Sequence, residues 1–277
     1  MSTIFHWKED DIDSLLRSCD TDEVLPFVLK YLPTGGRVLE SGCGLGRFVK
    51  YLQDRGWDMI GLEYSKPSLD LVHKTWPQLK VIQGDVGLSP FREETFDGVI
   101  SLGVVEHFVD GPDKPLKDIY RILKKNSIAI ITVPCMNSVR MFKELIWWND
   151  LRDAFLYILR SIIKGRPSYQ FEFNRLRNGY KYIVAPSIGP FYEYHMSVER
   201  FAAEVRRVGF EIVEHQPLDH IDGLYHELNP FKLLVKFNNW EFNISRFAYR
   251  LNKILMAIPF FHCHMQVVIA RKSCTKD

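Results

Sequence analysis

A glycine-rich turn follows a short apolar run near the start of the chain, in the stretch R-V-L-E-S-G-C-G-L-G-R-F. Gly42, Gly44 and Gly46 would leave the backbone bare, so that a ligand can approach it at the N-terminus of the next helix. A dinucleotide fingerprint needs G-x-G-x-x-G, but Arg47 stands where the third glycine of that motif belongs. Glu40 precedes the turn, and its carboxylate would repel a pyrophosphate. The turn therefore favours a ligand with a cationic part.

Two more acids occupy comparable positions. Glu63 ends the second run of strand character, in G-L-E-Y-S, and Asp85 ends the third, in V-I-Q-G-D-V. Tight turn packing would explain the glycines by themselves. It would not explain why Glu40, Glu63 and Asp85 close three successive predicted strands. We interpret the three acids as parts of one ligand site.

These residues need a sheet to position them. Short β-branched or apolar runs alternate with segments of helical periodicity, which is typical of parallel strands joined by crossover helices. The predicted strands lie near 37–40, 58–63, 79–83, 96–102, 127–133, 210–215 and 265–271. The predicted helices lie near 22–32, 46–55, 66–75, 113–124 and 197–208, the third opened by Ser65-Lys66-Pro67. The predicted fold class is α/β with a doubly wound sheet.

The stretch E-S-G-C-G-L-G resembles the motif of class I S-adenosylmethionine-dependent methyltransferases, in the broad group of ubiquinone, menaquinone and small-molecule methylases. The resemblance is good over about residues 35–135 and looser over 195–216. Lys125-Asn126 stands where the family mostly has a proline-glycine turn. The resemblance implies a Rossmann-like, doubly wound, seven-stranded sheet and S-adenosylmethionine as the cofactor. The positions that match cofactor-binding residues are Glu40, Ser41, Gly42, Cys43, Gly44, Gly46, Glu63, Tyr64, Asp85, Val86, Leu102 and Gly103.

The resemblance also assigns roles to three of these residues. Glu63 is expected to accept hydrogen bonds from both ribose hydroxyls. Asp85 is expected to meet the adenine amino group, and Val86 to lend a backbone N–H.

Methyl transfer to a hydroxyl or an acidic carbon needs a base, and His107 is the first candidate. It follows the fourth predicted strand, and an imidazole titrates near neutrality. The alternative is a histidine that packs beneath the cofactor at the start of a helix. Tyr192, Tyr194 and His195, in F-Y-E-Y-H-M, are candidates for orienting a substrate oxygen. Their alternative role is to cover the core from a partly buried loop.

We predict no essential metal. Some ubiquinone-pathway O-methyltransferases bind a divalent metal through E-x-x-E-H, but Gly103 replaces the first glutamate here and leaves two ligands. The sequence H-C-H near the C-terminus looks metal-binding in isolation. Neighbouring residues of a strand point to opposite faces, so Cys263 cannot readily join His262 and His264 at one ion.

The composition of the 277 residues, 46% of them hydrophobic, is ordinary for a soluble protein. The five cysteines are scattered without a C-x-x-C pair, so a reducing cytoplasm fits best. We find no signal-peptide pattern and no run of 18 uncharged apolar residues, and therefore predict neither export nor a membrane span. The net charge of +2 gives no broad basic footprint, and S-L-G-V lacks the N/D-P-P-Y motif of DNA base methylases. No nucleic-acid partner is expected.

The regular alternation stops after Pro134. The predicted parts are a cofactor-binding core over 1–137, a helical insertion on the acceptor side over 138–190, and the end of the core over 191–277 with a second helical insertion near 229–257. The first insertion carries an amphipathic helix over about 140–164, and we predict that Trp147 or Trp148 faces an acceptor channel or a membrane. Basic, aromatic helices of this kind lie on anionic membranes or cover a hydrophobic acceptor. The alternative is two helices packed together as a lid.

The resulting hypothesis is a cytoplasmic methyltransferase that acts on a small molecule, either lipid-like or glycan-linked. O-methylation is favoured over C-methylation, and peripheral membrane contact is left open. The alternative is a non-catalytic protein of the same fold that binds the cofactor or a partner. The acceptor's identity, the methylated atom and the oligomeric state do not follow from the sequence.

Overall fold

The computed structural model describes residues 11–145, 155, 181–184, 192–229, 233–238 and 241–274. The strands within these ranges are β1 Arg37–Ser41, β2 Asp58–Glu63, β3 Val81–Gln83, β4 Phe96–Leu102, β5 Leu123–Pro134, β6 Lys181–Val184, β7 Tyr192–His195, β8 Phe210–Leu218, β9 Val235–Asn238, β10 Glu241–Ile244 and β11 Met265–Lys272. The α-helices are α1 Asp11–Ser18, α2 Leu25–Tyr31, α3 Arg47–Gln53, α4 Lys66–Thr75, α5 Asp113–Ile122, α6 Ser138–Leu145, α7 Val198–Arg207, α8 His220–Glu227 and α9 Arg246–Leu255. Short 3-10 helices cover Cys19–Thr21 and Val105–His107.

The main sheet has seven strands in the order β3-β2-β1-β4-β5-β11-β8. The first five are parallel to their neighbours, whereas β11 runs antiparallel to both β5 and β8. The strand order reverses between β1 and β4, so a crevice forms at the carboxyl ends of these two strands. The predicted seven-stranded, doubly wound sheet is confirmed.

Side chains that alternate along the central strands feed two separate cores. Ile130 and Val267 belong to the core that contains α1, α2 and α3, whereas Ile131 and Val268 belong to the core that contains α5 and α7. Adjacent residues of a strand point to opposite faces, so continuous apolar runs bury both faces of a sheet. This packing fixes the sheet and therefore the edge at which its strands end.

Serine caps set the start of three helices. Ser65 accepts the backbone N–H of Ser68 at the start of α4, and Ser197 and Ser245 make equivalent bonds for α7 and α9. The helix start predicted from Ser65-Lys66-Pro67 is confirmed, and α4 spans its predicted range.

The boundary between the fifth helix and the fifth strand lies earlier than predicted. The helix expected to reach residue 124 ends at Ile122, and β5 begins at Leu123 instead of residue 127. Asn126 has a φ of 63°, in the left-handed region that asparagine tolerates better than most residues. The register between β4 and β5 shifts at this point, because Leu123 lies opposite Phe96 but Ile128 lies opposite Gly98, so Asn126 lies in a bulge of β5.

The second insertion is only partly helical, which corrects the helix predicted near 229–257. The antiparallel hairpin of β9 and β10 comes first, and α9 begins only at Arg246. Phe237 lies opposite Phe242, and Val235 lies opposite Ile244. Cross-strand pairs of aromatic and β-branched residues stabilise a hairpin, and this pairing outweighs the helical spacing of the apolar residues.

The first insertion is described at its start, at Phe155 and at Lys181–Val184, and this last segment is the strand β6 instead of the predicted helix. Of the helix predicted over 140–164, the structure describes α6 and the helical residue Phe155. Trp147 and Trp148 lie outside the described residues, as does most of the segment predicted to form a lid. Among the residues that are described, no helix is long and apolar enough to cross a membrane.

Candidate active site

A cavity of about 400 Å³ opens at the carboxyl ends of β1, β2 and β4. Its volume lies in the range of small-molecule sites in proteins. Ten of the twelve residues expected to bind the cofactor line it: Glu40, Gly42, Cys43, Gly44, Glu63, Tyr64, Asp85, Val86, Leu102 and Gly103. His107 lines it as well. Ser41, which is buried at the end of β1, and Gly46 do not.

The glycine turn leaves little room for side chains. Gly42 has a φ of 84°, and a Cβ atom there would lie 2.6 Å from Cγ2 of Val104. Gly46 has a φ of 68°, and its Cβ would lie 3.0 Å from Cδ2 of Leu79. Gly46 therefore serves the geometry of the turn, whereas Gly42 and Gly44 also present backbone to the cavity.

Glu63 is held in place by the backbone around it. Its Oε2 accepts the N–H of Gly44 at 2.9 Å, and its Oε1 accepts the N–H of Ser65 at 2.8 Å. Each carboxylate oxygen can accept a further hydrogen bond. The Glu63 side chain is thus fixed at the cavity wall with acceptor capacity left for a diol, which fits the ribose of the expected cofactor.

Opposing effects act on the pKa of the buried Glu40 carboxyl. Burial raises its pKa to about 8, while the charge of Arg47 and a hydrogen bond from the Val49 backbone N–H act in the opposite direction. A cation in the cavity would favour the ionised form of Glu40. This residue therefore fits a ligand with positive charge, as the sequence suggested.

Asp85 lies at the other end of the cavity, two residues beyond β3. Its Oδ1 accepts the backbone N–H of Gly87 at 2.7 Å, and its Oδ2 lies 4.0 Å from Nζ of Lys114. The neighbouring Val86 is buried and also lines the cavity. The structure therefore brings both residues to the same cavity as Glu40 and Glu63.

Part of the wall comes from residues that the sequence analysis missed. Leu15 and Ser18 belong to α1, which was not predicted, and Arg47 opens α3. Arg47 donates to Oγ of Ser18 at 3.1 Å and to Oδ2 of Asp22 at 2.7 Å. The feature of the sequence that could have indicated this part of the wall is the position of Arg47, directly after the glycine turn.

His107 lies in the 3-10 helix after β4 and is 8% exposed. Its Nε2 lies 3.8 Å from Oε1 of Glu106. Glu106 is fully buried, and burial raises the pKa of its carboxyl well above the ordinary value. Among the described residues, none makes a hydrogen bond to Oε2 of Glu106. Burial therefore favours the neutral form of the acid beside His107.

A second, ionised acid lies near His107 on β7. Oε1 of Glu193 lies 2.7 Å from Nε2 of His195. Burial opposes its ionisation, but that hydrogen bond and the charges of His195, His107 and His264 hold the pKa of Glu193 at about 2. Two neighbouring carboxyls whose pKa values shift in opposite directions, that of Glu106 upward and that of Glu193 downward, are typical of sites that transfer protons. The sequence analysis missed Glu193, although it lies within F-Y-E-Y-H-M.

The three residues proposed to contact the acceptor fall in different environments. Tyr194 is buried and donates its hydroxyl proton to the backbone carbonyl of Val109, which matches its alternative role of covering the core. His195 is buried beside Glu193 and does not line the cavity of about 400 Å³. The side chain of Tyr192 lies outside the described residues.

A smaller cavity of about 120 Å³ adjoins the first and shares Arg47, Leu102 and Gly103 with it. Asp219 and Thr132 also line it. Asp219 has a φ of 56° at the start of α8, in the left-handed region that aspartate tolerates better than most residues. Burial together with the charges of neighbouring acids raises the pKa of its carboxyl well above the ordinary value. The second cavity therefore places an acid from the end of β8 next to the larger cavity.

One described cluster has the composition of a metal site. Ligand atoms of Asp222, His226 and His264 lie within 4.8 Å of one another. Nη2 of Arg140, however, lies 2.7 Å from Nδ1 of His264. Arginine can only donate, so Nδ1 holds the lone pair and the other ring nitrogen holds the proton. A metal ion at that nitrogen would need the opposite tautomer beside a permanent cation, so this cluster does not fit a metal.

Comparisons with known proteins show similarity to methyltransferases. A family model described as "Methyltransferase domain" matches residues 39–131. The chain is 26% identical over 196 residues to 2-phytyl-1,4-naphtoquinone methyltransferase of Thermosynechococcus vestitus, a match that covers 68% of this chain and 77% of that protein. It is 32% identical over 129 residues to the 18S rRNA (guanine-N(7))-methyltransferase of Bos taurus, which covers 43% of this chain and 45% of that protein. The chain spans less than half the length of the first curated relatives it matches.

The fold is also similar to solved structures. One is the 1,6-didemethyltoxoflavin-N1-methyltransferase of Burkholderia thailandensis, with bound 1,6-didemethyltoxoflavin and S-adenosylhomocysteine. The TM-score is 0.52 at 14% sequence identity, and the match covers 94% of this chain and 79% of that chain. At this identity the likeness concerns the fold alone.

Proposed function

Because the chain carries a class I S-adenosylmethionine-dependent methyltransferase domain, we propose that it transfers a methyl group from S-adenosylmethionine to a small acceptor, either lipid-like or glycan-linked. The observation that carries this proposal is the convergence of Glu40, Glu63 and Asp85 on one cavity beside the glycine turn. A packing role for the turn would not need three acids around one space.

The residues that bind the cofactor have separate roles in this proposal. When bound, S-adenosylmethionine supplies an electrophilic methyl group on a positively charged sulfur. Glu63 accepts the ribose hydroxyls, and its two backbone hydrogen bonds fix it for that purpose. Asp85 and Val86 receive the adenine. Ionised Glu40 favours the cationic end of the ligand.

On the acceptor side, two groups can take or hold a proton. We assign the base to His107, because it lines the cofactor cavity after β4. Positive charge on His107 stabilises the ionised carboxylate of Glu193. The same attraction would stabilise the imidazolium that forms when His107 takes a proton from the acceptor. Asp219, in the adjoining cavity, is assigned to hydrogen-bond the acceptor. O-methylation remains ahead of C-methylation, because a hydroxyl carries a proton that a histidine base can remove.

The size of the second cavity bears on the acceptor class. A space of about 120 Å³ can hold the reacting end of an acceptor, and the remainder must continue outside it. Exposed apolar side chains are frequent in the helical additions, for example Phe142 and Leu145 on α6 and Ile254 on α9. An acceptor with a lipid-like part suits such a surface.

RNA is the main competing acceptor, since one relative of this domain is an rRNA methyltransferase. The net charge of +2 gives no broad basic footprint for it, and a small molecule is therefore proposed. We place the reaction in the cytoplasm, because the described cysteines are free thiols, which persist in a reducing compartment.

The test is incubation of the protein with cell extract and S-adenosylmethionine labelled on the methyl group. The extract is then separated into lipid, glycan, protein and nucleic-acid fractions. Label in the lipid or glycan fraction, absent with a His107→Ala control, supports the proposal. Label in RNA would replace it with the competing function. Tight cofactor binding without label in any fraction would favour the non-catalytic alternative.

A further inference from the structure

We propose that the outer face of α9, formed by Arg246, Phe247, Arg250, Lys253 and Ile254, docks on an anionic membrane surface. We call these five residues the docking face. The proposal goes beyond methyl transfer and does not depend on it, because it concerns where the protein lies and not what it converts.

The orientation of α9 is fixed by its inner side. Ser245 caps the helix, and Ala248 and Asn252 are buried against the rest of the second insertion. Oδ1 of Asn252 lies 2.7 Å from Nε2 of the buried His262. Ala248 also packs with Leu224 of α8. The opposite side of the helix therefore faces outward in a single orientation.

The outward side is strongly cationic. Arg246, Arg250 and Lys253 are exposed and lie on one side of the helix. The sequence contains no Asp or Glu between Glu241 and Asp277. Within the part of the chain that the structure describes, the acids of α8 are engaged elsewhere: Glu227 pairs with Arg140 at 2.6 Å. The positive charge of the docking face is therefore not neutralised by any acidic side chain of α9.

The same side also exposes large apolar groups. Phe247 is 68% exposed and Ile254 is 69% exposed, and they lie seven residues apart, so they share one edge of the helix. Ile258, just beyond α9, is 54% exposed. Moving such side chains out of water lowers the free energy of the system.

A second set of exposed apolar side chains, Phe142 and Leu145, lies on α6. The backbone N–H of Ser138, the first residue of α6, donates to the carbonyl of Phe260 at 3.1 Å, and Phe260 lies five residues beyond the end of α9. The start of α6 is therefore bonded through the main chain to the segment that follows α9.

This combination selects a lipid surface over RNA or a protein groove. Cations next to aliphatic and aromatic side chains on one face are typical of helices that lie in a membrane interface. Anionic headgroups attract the cations, and the acyl boundary accepts Phe247 and Ile254. A surface for RNA needs cations and stacking aromatics, but gains nothing from exposed isoleucines.

The experiment is co-sedimentation of the full chain with vesicles of phosphatidylcholine alone and of phosphatidylcholine mixed with phosphatidylglycerol. Two variants are compared, Arg250→Glu with Lys253→Glu, and Phe247→Ser with Ile254→Ser. The matched control is Arg92→Glu with Lys125→Glu, two exposed cations near the amino ends of β4 and β5. It changes the net charge by the same amount, away from the docking face. Melting temperatures and S-adenosylmethionine affinity are measured for every variant.

We expect binding to the anionic vesicles and little to phosphatidylcholine alone. The partition coefficient should fall on the order of thirtyfold or more when two cations are removed, and should also fall in the apolar variant. The control should bind like the parent protein, with cofactor affinity unchanged throughout. Absence of vesicle binding by the parent, or equal binding by all variants, overturns the proposal. Binding of RNA that is lost in the same charge variant, without vesicle binding, would assign the face to RNA instead.

Discussion

The backbone N–H of Gly44 donates to Oε2 of Glu63 across 2.9 Å. This bond ties the glycine turn after β1 to the acid that ends β2, so the two halves of the expected cofactor site are held in one geometry. The turn is also bound to β2 by the backbone N–H of Gly42, which donates to the carbonyl of Leu62 at 2.8 Å. A ligand that touches both strands therefore meets a preformed surface.

Glu63→Ala should weaken S-adenosylmethionine binding about a hundredfold. The change removes two hydrogen bonds to the ribose and the anchor of Gly44, a loss of about 2 to 3 kcal/mol. Gly44→Val should weaken binding as well, because it places a side chain in the turn. Titration calorimetry measures both, with the exposed Glu93→Ala as control. Unchanged affinity in Glu63→Ala would remove this residue from the cofactor site.

Cofactor binding should strengthen as the pH rises toward 8 and level off above it. Glu40 has a pKa of about 8, so the carboxylate that attracts the cationic ligand forms only as the proton leaves. Affinity should rise by up to about tenfold per pH unit below that value. Glu40→Gln should flatten this part of the profile, while any titration of the ligand itself remains in both proteins. Calorimetry in buffers of different ionisation enthalpy would report the released proton, and identical profiles for the two proteins would contradict the prediction.

His107→Ala separates catalysis from binding. If His107 is the base, turnover should fall by about 10² to 10⁴, with cofactor affinity nearly unchanged. Labelled methyl transfer and calorimetry give the two readings. A parallel loss of both would mean that the histidine only packs beneath the cofactor.

Asp219→Ala should raise KM for the acceptor and leave S-adenosylmethionine affinity unaltered, because Asp219 lines the smaller cavity and not the larger one. The loss of one hydrogen bond, about 1 to 1.5 kcal/mol, corresponds to roughly tenfold. Asp222→Ala, three residues further along and outside that cavity wall, is the control. Equal KM values for Asp219→Ala and the parent would leave the second cavity without a role in acceptor binding.

Glu193 should make stability depend on pH in the acid range. Its pKa is about 2 in the folded protein against an ordinary value of 4.5, so its contribution is complete above 4.5 and is lost as the pH falls toward 2. The linked free energy is at most about 3 kcal/mol. Urea unfolding at several pH values should show a steeper acid loss in the parent than in Glu193→Gln. The exposed Glu211→Gln should behave like the parent, and coincident curves for the parent and Glu193→Gln would refute the assignment.

Local patterns predicted the sheet well because each strand carries its own signal. Residues 58–63 and 96–102 form β2 and β4 with the predicted bounds. The helix predicted near 229–257 was wrong over β9 and β10 but right over α9, because the apolar residues before Arg246 satisfy helical and strand spacing alike. The pairing of Phe237 with Phe242 decides between them, and pairing is a property of two segments.

The sequence by itself determined the strand ends, the glycine turn and the three acids that surround the cofactor cavity. These follow from short-range order, since a residue at the end of a parallel strand necessarily lies at the carboxyl edge of the sheet. Only the tertiary structure decided that Glu193 lies near His107, that Asp219 lines a second cavity, and that Arg140 excludes a metal at His264. Glu193 and His107 are 86 residues apart in the chain, and Arg140 and His264 are 124 residues apart. Their charges and tautomers depend on burial and on neighbours supplied by other elements. No local spacing records such contacts, because packing creates them.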